Sequence, residues 1–227
     1  MTVPKDVALP HFNAVFIQVS TMLASRPSTM KRSFAHTALK NNQESDSQDP
    51  IQALQGVPYA IRKVIGIAKI KIHIIVEPVD PGNAASTFRF KLTSSVMGLG
   101  IIGAAPLKAI GFQTDNTDVR VMDGVEVEKD EPMIGKTKSR IWMCTLEELM
   151  NEPSSMGEVH DFLKQGWEGC SANETRVVRI SVKSASSAEP WQNEQVWGTQ
   201  GGRWTARVAF KKGNVNETAR ILYDHVA

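Results

Sequence analysis

The sequence predicts a mainly β (α+β) domain in which about eight strands close into an antiparallel barrel, preceded by N-terminal helices and broken by one helical insertion. Three observations lead there. Apolar and polar residues alternate with period two over several consecutive segments, the links between those segments are short and carry Gly or Pro, and no regular strand-helix-strand rhythm signals a parallel sheet. With 227 residues the chain is long enough for a full core. We expect an N-terminal helix and polar loop over residues 1–49 and the barrel domain over residues 50–227.

From His11 to Arg26 the apolar residues Phe12, Val15, Phe16, Val19, Met22 and Leu23 recur at three- and four-residue steps, so they share one face of a helix, which Pro27 stops. Asn41–Asp49 has no hydrophobic period and reads as an exposed, mobile loop. Pro50 suits a first helical turn. Leu54, Val57, Ile61, Val64 and Ile65 then mark a short helix, or a helix running into a strand, interrupted at Gly56 and Pro58.

The period then changes. Ile70, Ile72, Ile74 and Val76 alternate with Lys69, Lys71, His73 and Ile75, and after a turn at Pro78–Asn83 the residues Phe88, Phe90 and Leu92 alternate with Arg89 and Lys91, giving a hairpin with one dry face. Further strands are expected over Thr117–Met122, Lys136–Met143, Val177–Lys183, Trp191–Gly198, Trp204–Lys211 and Ala219–His225. Gly201-Gly202 and Lys212-Gly213-Asn214 supply hairpin turns, so the last three strands form a meander. Thr145 and Glu148 form a capping box that starts the inserted helix, and Met156–Trp167 carries a second helical turn.

Composition narrows the partners. Lys+Arg 26 against Asp+Glu 24 leaves +2, too little excess cation to bind a nucleic-acid backbone. Mean hydropathy of −0.22 argues against membrane insertion. Cys144 and Cys170 read as reduced thiols, and the five histidines are scattered singly, so neither a disulfide framework nor a metal site is expected. No secretory leader is recognisable, which makes a cytoplasmic location the default. Organelle targeting is the second reading, since Lys5, Arg26, Lys31, Arg32 and Lys40 face a single acid, Asp6, before residue 41. Gly98, Gly100 and Gly103 have dinucleotide-fingerprint spacing, but no strand-helix-strand unit surrounds them and Pro106 breaks the helix they should open. Val96–Phe112 therefore reads as an apolar loop covering a barrel end or a ligand, and no cofactor is expected.

Several stretches carry a family likeness: VPYAIRKVIGIAKIKIHI (Val57–Ile74), VMDGVEVEKDEPMIGKTKSRIWM (Val121–Met143), DFLKQGW (Asp161–Trp167), WQNEQVWGTQGGRWTARVAFKKG (Trp191–Gly213) and ILYDHV (Ile221–Val226). In these the chain resembles a lipocalin-like β-barrel family of fungal proteins met in natural-product gene clusters. It departs from the family where a compact Thr-Gly-Gly turn would follow the second strand, because the long aliphatic Val96–Phe112 segment stands there. Ligand contacts of that turn do not carry over. The resemblance implies a barrel with an interior cavity for a small apolar molecule, either carried or converted.

Alternation puts Trp191, Asn193, Gln195 and Trp197 on one side of a strand and Trp204, Ala206, Val208 and Phe210 on one side of the next. Amides among tryptophans orient a polar group of a ligand that the rings hold by area, whereas the alternative is amides facing solvent and tryptophans closing the barrel. Gln195, Asn193 and Tyr223 are thus the candidate catalytic residues. Trp191, Trp197, Trp204, Phe88, Phe90, Trp142 and Ser139 are the candidate ligand-binding residues. His73 is a weaker candidate base that reads better as solvent-facing, and Glu194 and Arg207 read as a surface ion pair. Asp123 and Asp130 lack a partner carboxylate, and no nucleophile elbow is present. Any catalysis must then come from shape and a hydrogen bond, as in a cofactor-independent cyclase or isomerase. The alternatives are a non-catalytic carrier, a module docking through the N-terminal helix, and a cone-shaped α+β fold of the nuclear-transport-factor type. A homodimer stays open.

Overall fold

The computed structural model describes residues 34–81, 83, 87–97, 115–131, 134–153, 156–167, 175–185 and 190–226. The expected helix over His11–Arg26, the Gly98–Gly103 spacing and Cys170 lie outside them. In chain order the elements are β1 (Phe34–Lys40), α1 (Asp49–Leu54), α2 (Tyr59–Ile67), β2 (Lys69–Pro78), β3 (Phe88–Met97), β4 (Asp115–Val121), β5 (Val127–Glu131), β6 (Gly135–Thr145), α3 (Leu146–Asn151), α4 (Glu158–Lys164), β7 (Arg176–Ser184), β8 (Trp191–Gln200), β9 (Arg203–Lys212) and β10 (Val215–His225). No helix among the described residues is long and apolar enough to cross a membrane.

All ten strands join one antiparallel sheet in the order β4-β3-β2-β1-β10-β9-β8-β7-β6-β5. The first described strand pairs with the last, Ala38 opposite His225 and Lys40 opposite Tyr223, which is the pairing a barrel needs. The expected closed barrel of eight strands is nevertheless corrected on two counts. Two strands were not legible, and the ladder is open between β4 and β5. The sheet curls until these edges meet through side chains: Lys129 Nζ donates to Asp118 Oδ1 at 3.1 Å and Arg120 Nη1 to Ser139 Oγ at 2.5 Å. Beside this seam the backbone N–H of Gly124 reaches Ile141 O at 3.0 Å.

Alternation sorts residues to the two faces. On the concave side Ile70, Ile72 and Ile74 are fully buried, each worth roughly 1.5–3 kcal/mol against exposure, and they join Phe90, Ile141, Val182, Trp197 and Tyr223 in one core. Ile51, Val57, Ile61 and Ile65 of the α1–α2 segment enter the same core, so this helical pair is packed with the sheet's interior. Gly56 makes the turn between the two helices at φ +89°.

A second core lies on the convex side, where Leu146, Leu149, Met156, Val159, Leu163 and Trp167 cover Val177, Val196 and Ala209. That cover dries both faces of β7–β9, which explains why Val177–Val182 is buried without a break. The capping box is present: Glu148 N–H donates to Thr145 Oγ1 at 3.1 Å and Thr145 N–H to Glu148 Oε2 at 2.7 Å. It turns the chain off β6 and onto the convex face. Gly201 and Gly202, at φ +57° and +77°, make the tight β8–β9 hairpin.

The segment after β1 is fixed where a mobile loop was expected. Asn41 Nδ2 donates to Asp224 Oδ2 at 2.8 Å, Leu222 N–H to Ser45 Oγ at 2.9 Å and Arg220 N–H to Asp46 Oδ2 at 2.7 Å, so 41–46 runs along β10.

Candidate functional site

The β8 residues Trp191, Asn193, Gln195 and Trp197 are buried on the concave face, and a directed hydrogen-bond chain connects three of them. Trp197 Nε1–H donates to Gln195 Oε1 at 2.9 Å, and Gln195 Nε2–H donates to Asn193 Oδ1 at 3.3 Å. An indole is donor only, so Trp197 fixes which way the Gln195 amide points, and Gln195 in turn fixes Asn193. The chain therefore ends in the Asn193 Nδ2 group, a donor polarised by the bonds behind it.

Aromatic rings surround this column. Trp197 lies 5.9 Å from Tyr223, tilted by 30°, and Trp191 stacks on Phe210 at 5.6 Å. Trp204 stacks on His36 at 4.8 Å, and His36 stacks on His225 at 4.6 Å. Tyr223 Oη and Trp204 Nε1 are buried with no hydrogen-bond partner among the described residues. An orphaned polar atom of this kind costs about 1–3 kcal/mol. Burial pushes the Tyr223 phenol well above its usual range, so at neutral pH it is a proton-bearing donor.

Other candidates fall elsewhere. Phe90 is in the concave core and Phe88 packs half-buried against it. Ser139 is buried at the seam, where it accepts from Arg120 and reaches Val127 O at 3.5 Å. Trp142 packs on the convex core, with the guanidinium of Arg140 at 4.5 Å and that of Arg179 at 5.0 Å from its ring, and does not join the concave column. His73 pairs across the sheet with Thr37 and shares a 2.9 Å hydrogen bond with its hydroxyl, away from that column.

The expected surface pair of Glu194 and Arg207 is also corrected. Both are buried beneath the convex helices, and Glu194 meets Arg179 at 3.4 Å. Arg207 instead donates to Phe162 O at 3.4 Å and lies over that ring. Cys144 is buried in the same layer, its thiol pushed up to about 11 by desolvation, so it is a packing residue and a poor nucleophile. Sequence reasoning missed Asp118, Arg120 and Lys129 at the seam, and His36 against Trp204. The i, i+2 spacing of Asp118 and Arg120 on one strand face was the available signal.

The histidines give a pH dependence. Burial, reinforced by His225 and His73, holds His36 below its ordinary 6.5, and burial, reinforced by Arg179, lowers His160 likewise. The unfolded chain protonates both near 6.5, where the folded protein resists, so their contribution to stability is complete above that pH and lost as pH falls through it. Each contributes at most about 1.4 kcal/mol per pH unit. Urea unfolding should show stability declining from pH 7 to pH 5, less steeply in His36→Gln; a flat profile would contradict the assignment.

No protein-family model matches the chain. It is 24% identical over 185 residues to a Mollisia scopiformis protein described as "Probable pericyclase scpY", with 80% of this chain and 83% of that protein aligned. Among solved structures it is similar to a Schistosoma mansoni fatty acid binding protein in complex with arachidonic acid, at 13% identity and TM-score 0.45, covering 88% of this chain and 99% of that one. It is also similar to secretory abundant heat soluble protein 4 from Ramazzottius varieornatus, at 10% identity and TM-score 0.45, covering 91% and 100% of the two chains.

Proposed function

We propose that the protein binds a small apolar molecule on the concave face of its sheet and acts there as a cofactor-independent cyclase or isomerase. The observation that carries this reading is the oriented chain Trp197 to Gln195 to Asn193, set among aromatic rings beside the Tyr223 hydroxyl, which has no partner among the described residues. The likeness to a protein described as a probable pericyclase supports it. In a pericyclic step, bonds form and break within the substrate as electron pairs shift in concert, and no atom enters or leaves. The protein need only hold the reacting ends together and donate a hydrogen bond to a carbonyl whose oxygen gains charge. Asn193 Nδ2 and Tyr223 Oη are the donors for that task, and the tryptophans supply contact area. A donor worth about 1.4 kcal/mol more in the transition state than in the ground state gives a tenfold rate.

Incubation with an ortho-quinone methide bearing a tethered alkene should change the ratio of its cycloaddition products. Gln195→Ala, which unhooks the relay, should reduce that change about tenfold. Tyr223→Phe should also reduce it while leaving unfolding stability equal or higher, because the hydroxyl removed has no partner to lose. Equal product ratios with and without protein would reject catalysis. Quenching of tryptophan emission in that same experiment would then identify a carrier.

A further inference from the structure

The seam between β4 and β5 places charge on a face whose other buried residues are mostly uncharged or apolar. Register sets Arg120 opposite Phe90 and Asp118 opposite Leu92, so both charged side chains share the concave face with core residues. They are 9% and 11% exposed. Arg120 Nε donates to Asp118 Oδ2 at 2.9 Å and its Nη1 to Ser139, while Lys129 shares the Asp118 carboxylate. Two cations thus divide one anion, and Arg120 Nη2 has no partner among the described residues.

Arg120 and Lys129 border a cleft of about 270 Å³, whose walls are otherwise mostly aliphatic: Val119, Val121, Val125, Val127 and Ile141. Asp123 also borders it, with its carboxylate turned back to the Val125 N–H at 2.9 Å. A guanidinium with Nη2 open, next to the Lys129 ammonium and an aliphatic wall, matches a carboxylate carried on an apolar body, since Nη2 can donate to it, the two cations exceed the one Asp118 charge, and the valines cover the rest.

We propose that the seam cleft anchors the carboxylate of an amphipathic small molecule, with Arg120 as the anchoring residue and Lys129 as its neighbour. One row of paired residues runs from Ser139 through Val182 to Asn193. Two strand spacings separate its ends, roughly 10 Å. The anchor therefore stands about two strand spacings from Asn193. This deepens the proposed function by naming a ligand class, an amphipathic acid, and rests on that reading for the ligand being a substrate, while the anchor itself stands on the seam geometry.

The test compares pyrenebutyric acid with its methyl ester, two probes of the same body that differ in charge, by fluorescence titration. Wild-type protein should bind the acid at least tenfold more tightly than the ester. Arg120→Met should abolish that preference with ester affinity unchanged. Asp118→Asn, which removes the competing carboxylate and keeps the anchor, should raise the preference several-fold and does not depend on Arg120→Met folding. Equal binding of acid and ester by the wild type, or a preference unmoved by both substitutions, overturns the anchor and leaves the small-molecule reading standing. Binding of neither probe overturns both.

Discussion

Glu194→Ala should cost about 3 kcal/mol of folding stability, read as a lowered urea midpoint, because it takes from the buried Arg179 its one fully buried carboxylate and from Ser181 and Gln192 their acceptor. The Glu194 side chain is 2% exposed and accepts from Ser181 Oγ at 2.6 Å, Gln192 Nε2 at 2.9 Å and Arg179 Nη2 at 3.4 Å. Arg179, equally buried, reaches Glu152 with Nη1 and lies over the Trp142 ring. With the Glu194 carboxylate gone, Glu152 at the helix end remains to neutralise Arg179, and the Ser181 hydroxyl loses its acceptor. Glu194→Gln should cost less, since an amide oxygen still accepts from Ser181 and Gln192. Replacing both Arg179 and Glu194 by Met and Leu should recover most of the loss, because apolar residues of similar volume demand no ionic partner. A loss under about 1 kcal/mol for Glu194→Ala would mean that water reaches this layer.

Trp167→Ala should be comparably severe, about 3–5 kcal/mol, as expected for emptying a large buried ring site. Trp167 is 4% exposed and its Nε1–H donates to Leu163 O at 2.9 Å, fastening the end of α4 to the sheet. Its ring packs against Gly198, where a Cβ would come within 2.9 Å of Trp167 Cζ3 and 3.1 Å of Val177 Cγ1. Gly198→Ala alone should therefore cost about 1–3 kcal/mol by overpacking. In the Trp167→Ala background that same substitution should be close to neutral, since the new methyl enters the vacated space. A double-mutant cycle from urea unfolding measures the coupling, and additive losses would refute the contact.

The sequence was most readable where one periodicity or one local motif governs. Ile70, Ile72 and Ile74 advertise a dry strand face, Thr145 and Glu148 specify a helix start, and the alternation from Trp191 to Trp197 identifies which β8 side chains share a face. Legibility failed where position in the sheet overrides apolarity. β1 presents His36 and Ala38 to the core, residues too small or too polar to announce a strand. β5 reads Val-Glu-Lys-Asp-Glu, an edge strand whose charges suit its location and imitate a loop. In β4 the valines at 119 and 121 are exposed while Asp118 and Arg120 face inward, the reverse of what alternating hydrophobicity suggests. Charges there answer one another across the seam, and that pairing exists only after the sheet has curled. Glu194 and Arg207 were misplaced for a related reason, since a periodicity cannot say that helices will cover the convex side.

The pairing of Lys40 with Tyr223 carries a cost during biosynthesis. β1 and β10 are neighbours in the sheet yet lie far apart in sequence, so a ribosome must deliver nearly every intervening residue before the two can meet. Until then Ile72, Ile74 and their neighbours wait uncovered on a nascent chain of high contact order, which folds slowly and invites association. Shielding by a chaperone, or a slow elongation rate through the last two hairpins, would matter more to the yield of this protein than to a helical bundle of equal length.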